Sequence, residues 1–343
     1  LTNFVLQKTV WQRLIAIRAT GVRTALAVVG PFFIGQAVGH SAVGLMIGLG
    51  GLYACISDKF GAGWRTMLAT VAGIATAAYA GTLAGPYPIP AILLTFVWTF
   101  IWGLAGVWGE AAGNAGFSAA LSLSVALGLA PLTPANAAPQ RAVEFAAGGA
   151  LAILLTLVLW RLERQPASPT AYPPLDVRRS LLRVARAVRL RTPVFQHAVR
   201  LAVAATLAVA IYKGLRLEHG YWLIITALVI VKQDWAATRQ RAGERIVGSL
   251  AGGALGILLA ATIHSVIVID AFLLVFCVLA FSHSPTSYRL YVVFLTPFVV
   301  LMINIAAPGD WQVALIRIFD TLIGGILALI VAYILRDRTP ARE

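Results

Sequence analysis

Two arginine–acid pairs stand in otherwise apolar surroundings. Arg141 precedes Glu144 in RAVEFAAGG, and Arg317 precedes Asp320 in RIFDTLIGG. A spacing of three puts both charges of a pair on one face of a helix. An unpaired charge inside a bilayer costs ~2.5–3.5 kcal/mol or more, so each arginine must face a partner or a cavity. Two chemistries fit. Each pair could be a salt bridge that locks helices together. Alternatively, the arginines bind an anion while the acids Glu144 and Asp320 exchange protons.

A second set of polar residues marks the ends of apolar runs. Asp58 and Asp234 each close one, beside Lys59 and Lys232. They read as helix caps or as gates at an inner mouth, as does Arg245, which enters the next run. His219, Tyr221 and Trp222 follow Glu218 in an outer loop and helix start; Tyr and Trp at such a depth commonly anchor a membrane interface. The sequence has no GxxxxGK[ST], HExxH, CxxC or GxSxG, so no ATPase, metal or nucleophile chemistry is expected, no cofactor, and no enzyme. Cys55 and Cys277 lie within apolar runs and read as small core residues.

These residues sit in a duplicated chain. Arg141 and Arg317 are 176 positions apart (317 minus 141), and so are Glu144 and Asp320, Gly148 and Gly324, Gly149 and Gly325, Asp58 and Asp234, and Arg65 and Arg241. One offset held over six matching positions is not a chance event. Duplicated halves of apolar helices are a common transporter plan. Six apolar segments fall in each half, near 22–38, 42–57, 66–84, 88–108, 113–130 and 140–160, then 198–214, 220–233, 242–263, 265–282, 288–306 and 312–335. The expected fold is all-α: a polytopic membrane protein of about 12 transmembrane helices in two six-helix repeats, 1–163 and 197–343, joined by a linker at 164–196. An even number of spans per half makes the repeats parallel. Pairs such as Gly248-x-x-x-Gly252 and Gly44-x-x-x-Gly48 should mark close helix contacts.

Composition demands a bilayer as the first partner. Apolar residues make up 59% of the 343, and charged residues only 12%. A net charge of +14 would suggest nucleic acid in a soluble protein, but here the positive-inside rule accounts for it. With both termini cytoplasmic, all but four of the 27 basic residues fall inside; Lys213, Arg216, Arg141 and Arg317 are the exceptions. The linker carries LDVRRSLLRVARAVRLR, a basic amphipathic helix suited to an anionic inner leaflet.

The second half resembles the fusaric-acid-resistance-like (FUSC) family, to which aromatic acid exporters belong. The likeness rests on His-Gly-Tyr-Trp at 219–222, Lys-Gln-Asp at 232–234, Arg245-x-x-Gly248-Ser249 and the closing run RIFDTLIGGILALIVAYIL. The first half is a degenerate copy, with HSAVGLM where the second has EHGYWLI. The helical repeat also resembles plant aluminium-activated malate channels. These resemblances imply a bacterial inner-membrane exporter of small organic anions, aromatic carboxylates above all, with a periplasmic adaptor as partner. An ion gradient would drive it. A passive anion channel and a membrane scaffold that moves nothing stand as alternatives.

The orientation is testable. In a background without Cys55 and Cys277, cysteines substituted at Tyr172 and Pro340 should react with a membrane-impermeant thiol reagent only after the inner face is opened. Labelling of either from outside intact cells would overturn the topology.

Overall fold

The computed structural model describes residues 2–57, 64–163, 177–305 and 309–336, and these form thirteen α-helices with no strand among them. The helices are α1 (Thr2–Ala37), α2 (Ser41–Ser57), α3 (Trp64–Ala84), α4 (Pro88–Gly103), α5 (Glu110–Leu129), α6 (Ala138–Glu163), α7 (Val177–Arg189), α8 (Pro193–Gly214), α9 (Tyr221–Ile230), α10 (Trp235–Thr262), α11 (Val266–His283), α12 (Tyr288–Asn304) and α13 (Gln312–Ile334). Lipid offers the backbone no hydrogen bonds, so long apolar runs can only close on themselves as helices. Eight are long and apolar enough to cross a membrane, and α2, α9 and α12 are shorter apolar helices. The protein is therefore an all-α, multi-pass membrane protein.

Helix ends follow local chemistry. Pro193 opens α8, where the Thr192 hydroxyl accepts from the Phe195 N–H; the Asp234 carboxylate caps α10 by accepting from the Ala237 N–H at 2.7 Å. Asp234 also explains why α9 stops at Ile230, short of the 233 expected from hydropathy. Val231 turns extended, the Lys232 N–H donates to Thr238, and Arg200 donates to the Gln233 carbonyl. At ten residues, α9 spans only ~15 Å, about half of a bilayer's hydrocarbon core.

Neighbour relations repeat between the halves. Helix α3 packs on α5 and α6, and α10 packs on α12 and α13; α2 packs on α6, and α9 on α13. The halves also meet reciprocally, with α4 against α8 and α11 against α1. The offset of 176 reaches single contacts. Gly148 lies against the Ile47 carbonyl, and Gly324 against the Leu223 carbonyl, where a methyl group on Gly324 would come within 2.8 Å. Glycine is needed at both places because the opposing atom is backbone and cannot swing aside. Gly248, Gly252 and Gly256 likewise seat α10 on Val292, Val293 and Val300 of α12.

Proline shapes two of these contacts. Pro31 in α1 and Pro297 in α12 lack the N–H that would reach the carbonyls of Ala27 and Val293. Gly51 and Gly252 pack on those two oxygens, close enough for weak C–H···O contacts. On the basic side, α7 leaves Leu181 and Leu182 exposed beside its arginines.

Substituting Gly148 should therefore be costly where Gly243, with no heavy atom within 4 Å, is not. Gly148→Ala should lower stability by roughly 1–3 kcal/mol through forced overpacking, and Gly243→Ala should be neutral or stabilising. Thermal unfolding in detergent checks the pair. Equal melting of both variants would refute the close approach.

Candidate functional site

A cavity of about 800 Å³ lies between the two halves, walled by α1, α2, α5, α9, α10, α12 and α13. Its lower wall is basic: Arg23, Lys232, Arg241 and Arg245 line it, with Glu110 and Glu244 as the acids. Exposed Ser284, Pro285 and Thr286, in the turn between α11 and α12, show that the cavity opens at this end, on the side of the loops the charge rule assigns to the cytoplasm. The interior is aromatic, with Tyr53, Phe117 and Tyr291. Tyr221, Trp222 and Arg317 line its deepest part, where Trp222 is only 2% exposed and Arg317 4%.

The Arg317 guanidinium lies over the Trp222 indole, 4.9 Å from the ring centroid. It has no ion pair or hydrogen bond among the described residues, and its Nε is buried without a partner. The His219 imidazole also stacks on the indole, at 5.1 Å with 22° between the planes. His219 occupies a left-handed turn, φ 55°, which aims the ring back over α9. Burial pushes this loop imidazole below its usual pKa, against the pull of Glu218 and Asp310, so the stacked ring is neutral at neutral pH.

The second arginine–acid pair diverges. Asp320 is 1% exposed, its Oδ2 has no partner, and it lines a shallow outer cleft with Leu217 and Glu218 instead of the cavity. The two residues are three apart, which still leaves ~60° between them around the helix; the indole draws Arg317 to one side of that angle. The first pair stays together. Arg141 donates to Glu144 at 3.2 Å and to Thr133 at 3.2 Å, and Gln140 donates to Glu144 at 2.8 Å. Arg141 does not line the cavity. Position 46, which answers to Trp222 under the offset, is methionine, so the first half has no indole at the corresponding place.

The remaining expected residues separate into two groups. Arg245, 2% exposed, lines the cavity and donates to the Tyr288 hydroxyl at 3.5 Å; Arg241 sits 3.9 Å over the Tyr288 ring. Asp234 faces the backbone as a helix cap, and Asp58 lies outside the described residues. Sequence reasoning missed Arg23, Tyr53, Glu110, Glu244 and Tyr291 as cavity residues. None belongs to a motif, and only the crossing of α1, α2, α5, α10 and α12 brings them together. Among the described residues no cluster of His, Cys, Asp and Glu could hold a metal ion.

Residues 206–331, which include Trp222, Arg245, Arg317 and Asp320, match the family described as fusaric acid resistance protein-like. The chain is 34% identical over 157 residues to the inner membrane protein YccS of Escherichia coli, covering 46% of this chain and 22% of that protein. It is 31% identical over 146 residues to the ORF2 protein of Neisseria gonorrhoeae, covering 41% and 34%. It is 26% identical over 137 residues to a Haemophilus influenzae protein, covering 40% and 19%. The chain thus spans between a fifth and a third of these relatives' lengths. No solved structure matches it. Likeness to an inner membrane protein, together with the apolar helices, supports a multi-pass inner-membrane location. The half that holds the cavity's deep end is thus similar to the fusaric acid resistance protein-like family.

Proposed function

We propose that this protein is an inner-membrane transporter that exports small organic anions, aromatic carboxylates first among them. In this reading it is built as two parallel six-helix repeats, 1–163 and 197–343, around the 164–196 linker. The observation that carries it is Arg317: a buried guanidinium with no acid partner, resting on Trp222 at the closed end of a cavity that opens toward the basic loops. A carboxylate would provide the missing counter-charge through paired N–H···O bonds. A ring on that carboxylate would meet Tyr53, Phe117, Tyr221 and Tyr291. The cavity's volume is that of a small-molecule site.

The same geometry supports a route outward. Trp222 closes the outer end while in contact with both Arg317 and His219. An anion that engages Arg317 competes with the indole for the cation and so loosens the closure. Asp320, unpaired and one turn further along α13, can then gain or lose a proton and so link proton movement to the charge state of the site. Proton-coupled export and the role of His219 as the outer face of the closure both belong to this proposal. Arg141, tied to Glu144 and Thr133, serves the scaffold here instead of the anion.

Sealed proteoliposomes loaded with labelled benzoate, with and without a pH gradient, test the reading. Arg317→Gln should lower transport at least tenfold at unchanged folded yield, Arg317→Lys should recover part of it, and Arg141→Gln should lower yield more than transport. If Arg317→Gln reduces yield and transport in equal measure, Arg317 is structural and the proposal fails.

A further inference from the structure

Buried hydroxyls in helices normally donate to the carbonyl four residues back. Thr70, Thr82, Thr95, Thr99 and Thr296 all do so here. Thr226, Ser249 and Thr321, each 1% exposed or less, do not; their hydroxyl oxygens have no partner. They stand on three different helices, α9, α10 and α13, and those helices bring them together. A methyl group on Gly324 would lie 3.0 Å from Thr226 Cβ, which sets Thr226 against α13 one turn from Thr321. Along α10, Ile246 faces Gly325 and Gly253 faces Ile318. Ser249 lies between those contacts, level with Thr321. The Nε atoms of Arg245 and Arg317, whose side chains line the neighbouring cavity, also lack partners.

Five unpartnered groups on three adjoining helices are thus able to donate hydrogen bonds, while the unpartnered Asp320 Oδ2 of α13 belongs to the outer cleft. A buried donor left unmade is costly, more so when charged, and donors on adjoining helices can share one acceptor. A cation is the wrong occupant beside two guanidiniums. The first half sharpens the point. Under the offset of 176, the counterparts of Thr226, Arg245, Ser249 and Thr321 are Gly50, Ala69, Gly73 and Phe145. The Phe145 ring is buried there, stacked with Tyr53. Duplication therefore kept the helix packing in both halves and the donors in one.

We infer that the hydroxyls of Thr226, Ser249 and Thr321 complete a single anion pocket with Arg245 and Arg317, and that its ligand is a compact monovalent anionic group: a carboxylate head or a halide. This rests on the transport reading above and names further residues of the same site. The hydroxyls select for a small, localised charge that can accept several short hydrogen bonds, while the aromatic wall accepts whatever is attached to it.

Binding of labelled benzoate to the purified full chain, with chloride as competitor, tests this without any transport step. Ser249→Ala combined with Thr321→Val should weaken benzoate binding at least tenfold. Ser249→Thr with Thr321→Ser, which keeps both hydroxyls, should bind within about threefold of the parent, because hydrogen bonds to a charged acceptor are the strong ones. Displacement by chloride would identify the site as one for the bare anion. No displacement at high chloride would identify the carboxylate of an organic molecule; either outcome supports the pocket. If the hydroxyl-free variant keeps its size-exclusion profile and binds benzoate like the parent while Arg317→Gln does not bind, the hydroxyl inference falls and the transport reading stands. If Arg317→Gln also binds like the parent, both fall.

Discussion

An uncompensated positive charge in the interior of a membrane protein is the constraint around which the second half is arranged. Removing a guanidinium from water in a low-dielectric setting is expensive, and the usual remedy is an acid within hydrogen-bonding reach. Arg141 has that remedy in Glu144, with Thr133 and Gln140 completing the set. Arg317 has an acid at the same spacing and does not use it. The Trp222 face offers part of the missing stabilisation, and in the proposed reading the rest arrives with a ligand in the cavity. A site that is electrostatically incomplete when empty binds an anion with less desolvation cost than one that must first break a salt bridge.

That difference between halves arises on a shared frame. The glycine contacts at 148 and 324 put α6 on α2 and α13 on α9 through corresponding backbone carbonyls, those of Ile47 and Leu223. Helix packing in lipid depends on such small residues, because apolar side chains gain little by leaving lipid for protein. The frame therefore tolerates wide change at the faces it does not use for packing. Met46 against Trp222, Ala69 against Arg245 and Phe145 against Thr321 are changes of this kind. One half became a filled apolar wall around Phe145 and Tyr53, and the other kept a polar interior.

The short helix α9 connects frame to site. Seven of its ten residues are buried and the other three half-buried, and its start is built from a left-handed residue, His219, and two aromatic rings. Its ten residues cover only about half of a bilayer's hydrocarbon core, and Trp222 in its first turn reaches Arg317. A helix of ordinary length would have carried the same aromatic residues to the interface, where they would anchor the protein in the headgroup region.

The sequence by itself determined the class and the plan. Charge-free runs require helices in lipid, the distribution of Lys and Arg sets an expected orientation, and one offset over six positions sets the expectation of two repeats. It also marked Arg317, Arg245, Tyr221 and Trp222, since a charge or a conspicuous aromatic motif in an apolar chain stands out. The tertiary structure alone decided how these residues are used. Helical spacing put Arg317 and Asp320 within 60° of each other, but which neighbour each would face depended on α9, far away in sequence. The hydroxyls of Thr226, Ser249 and Thr321 carry no signal in a linear reading, because a lone Ser or Thr in a membrane helix ordinarily satisfies itself on its own backbone. Only the packing of three helices shows that these do not. The cavity residues from the first half, Arg23, Tyr53 and Glu110, were invisible for the same reason: a chamber between halves is a property of how helices cross, and crossing is set by side-chain contacts that no single segment contains.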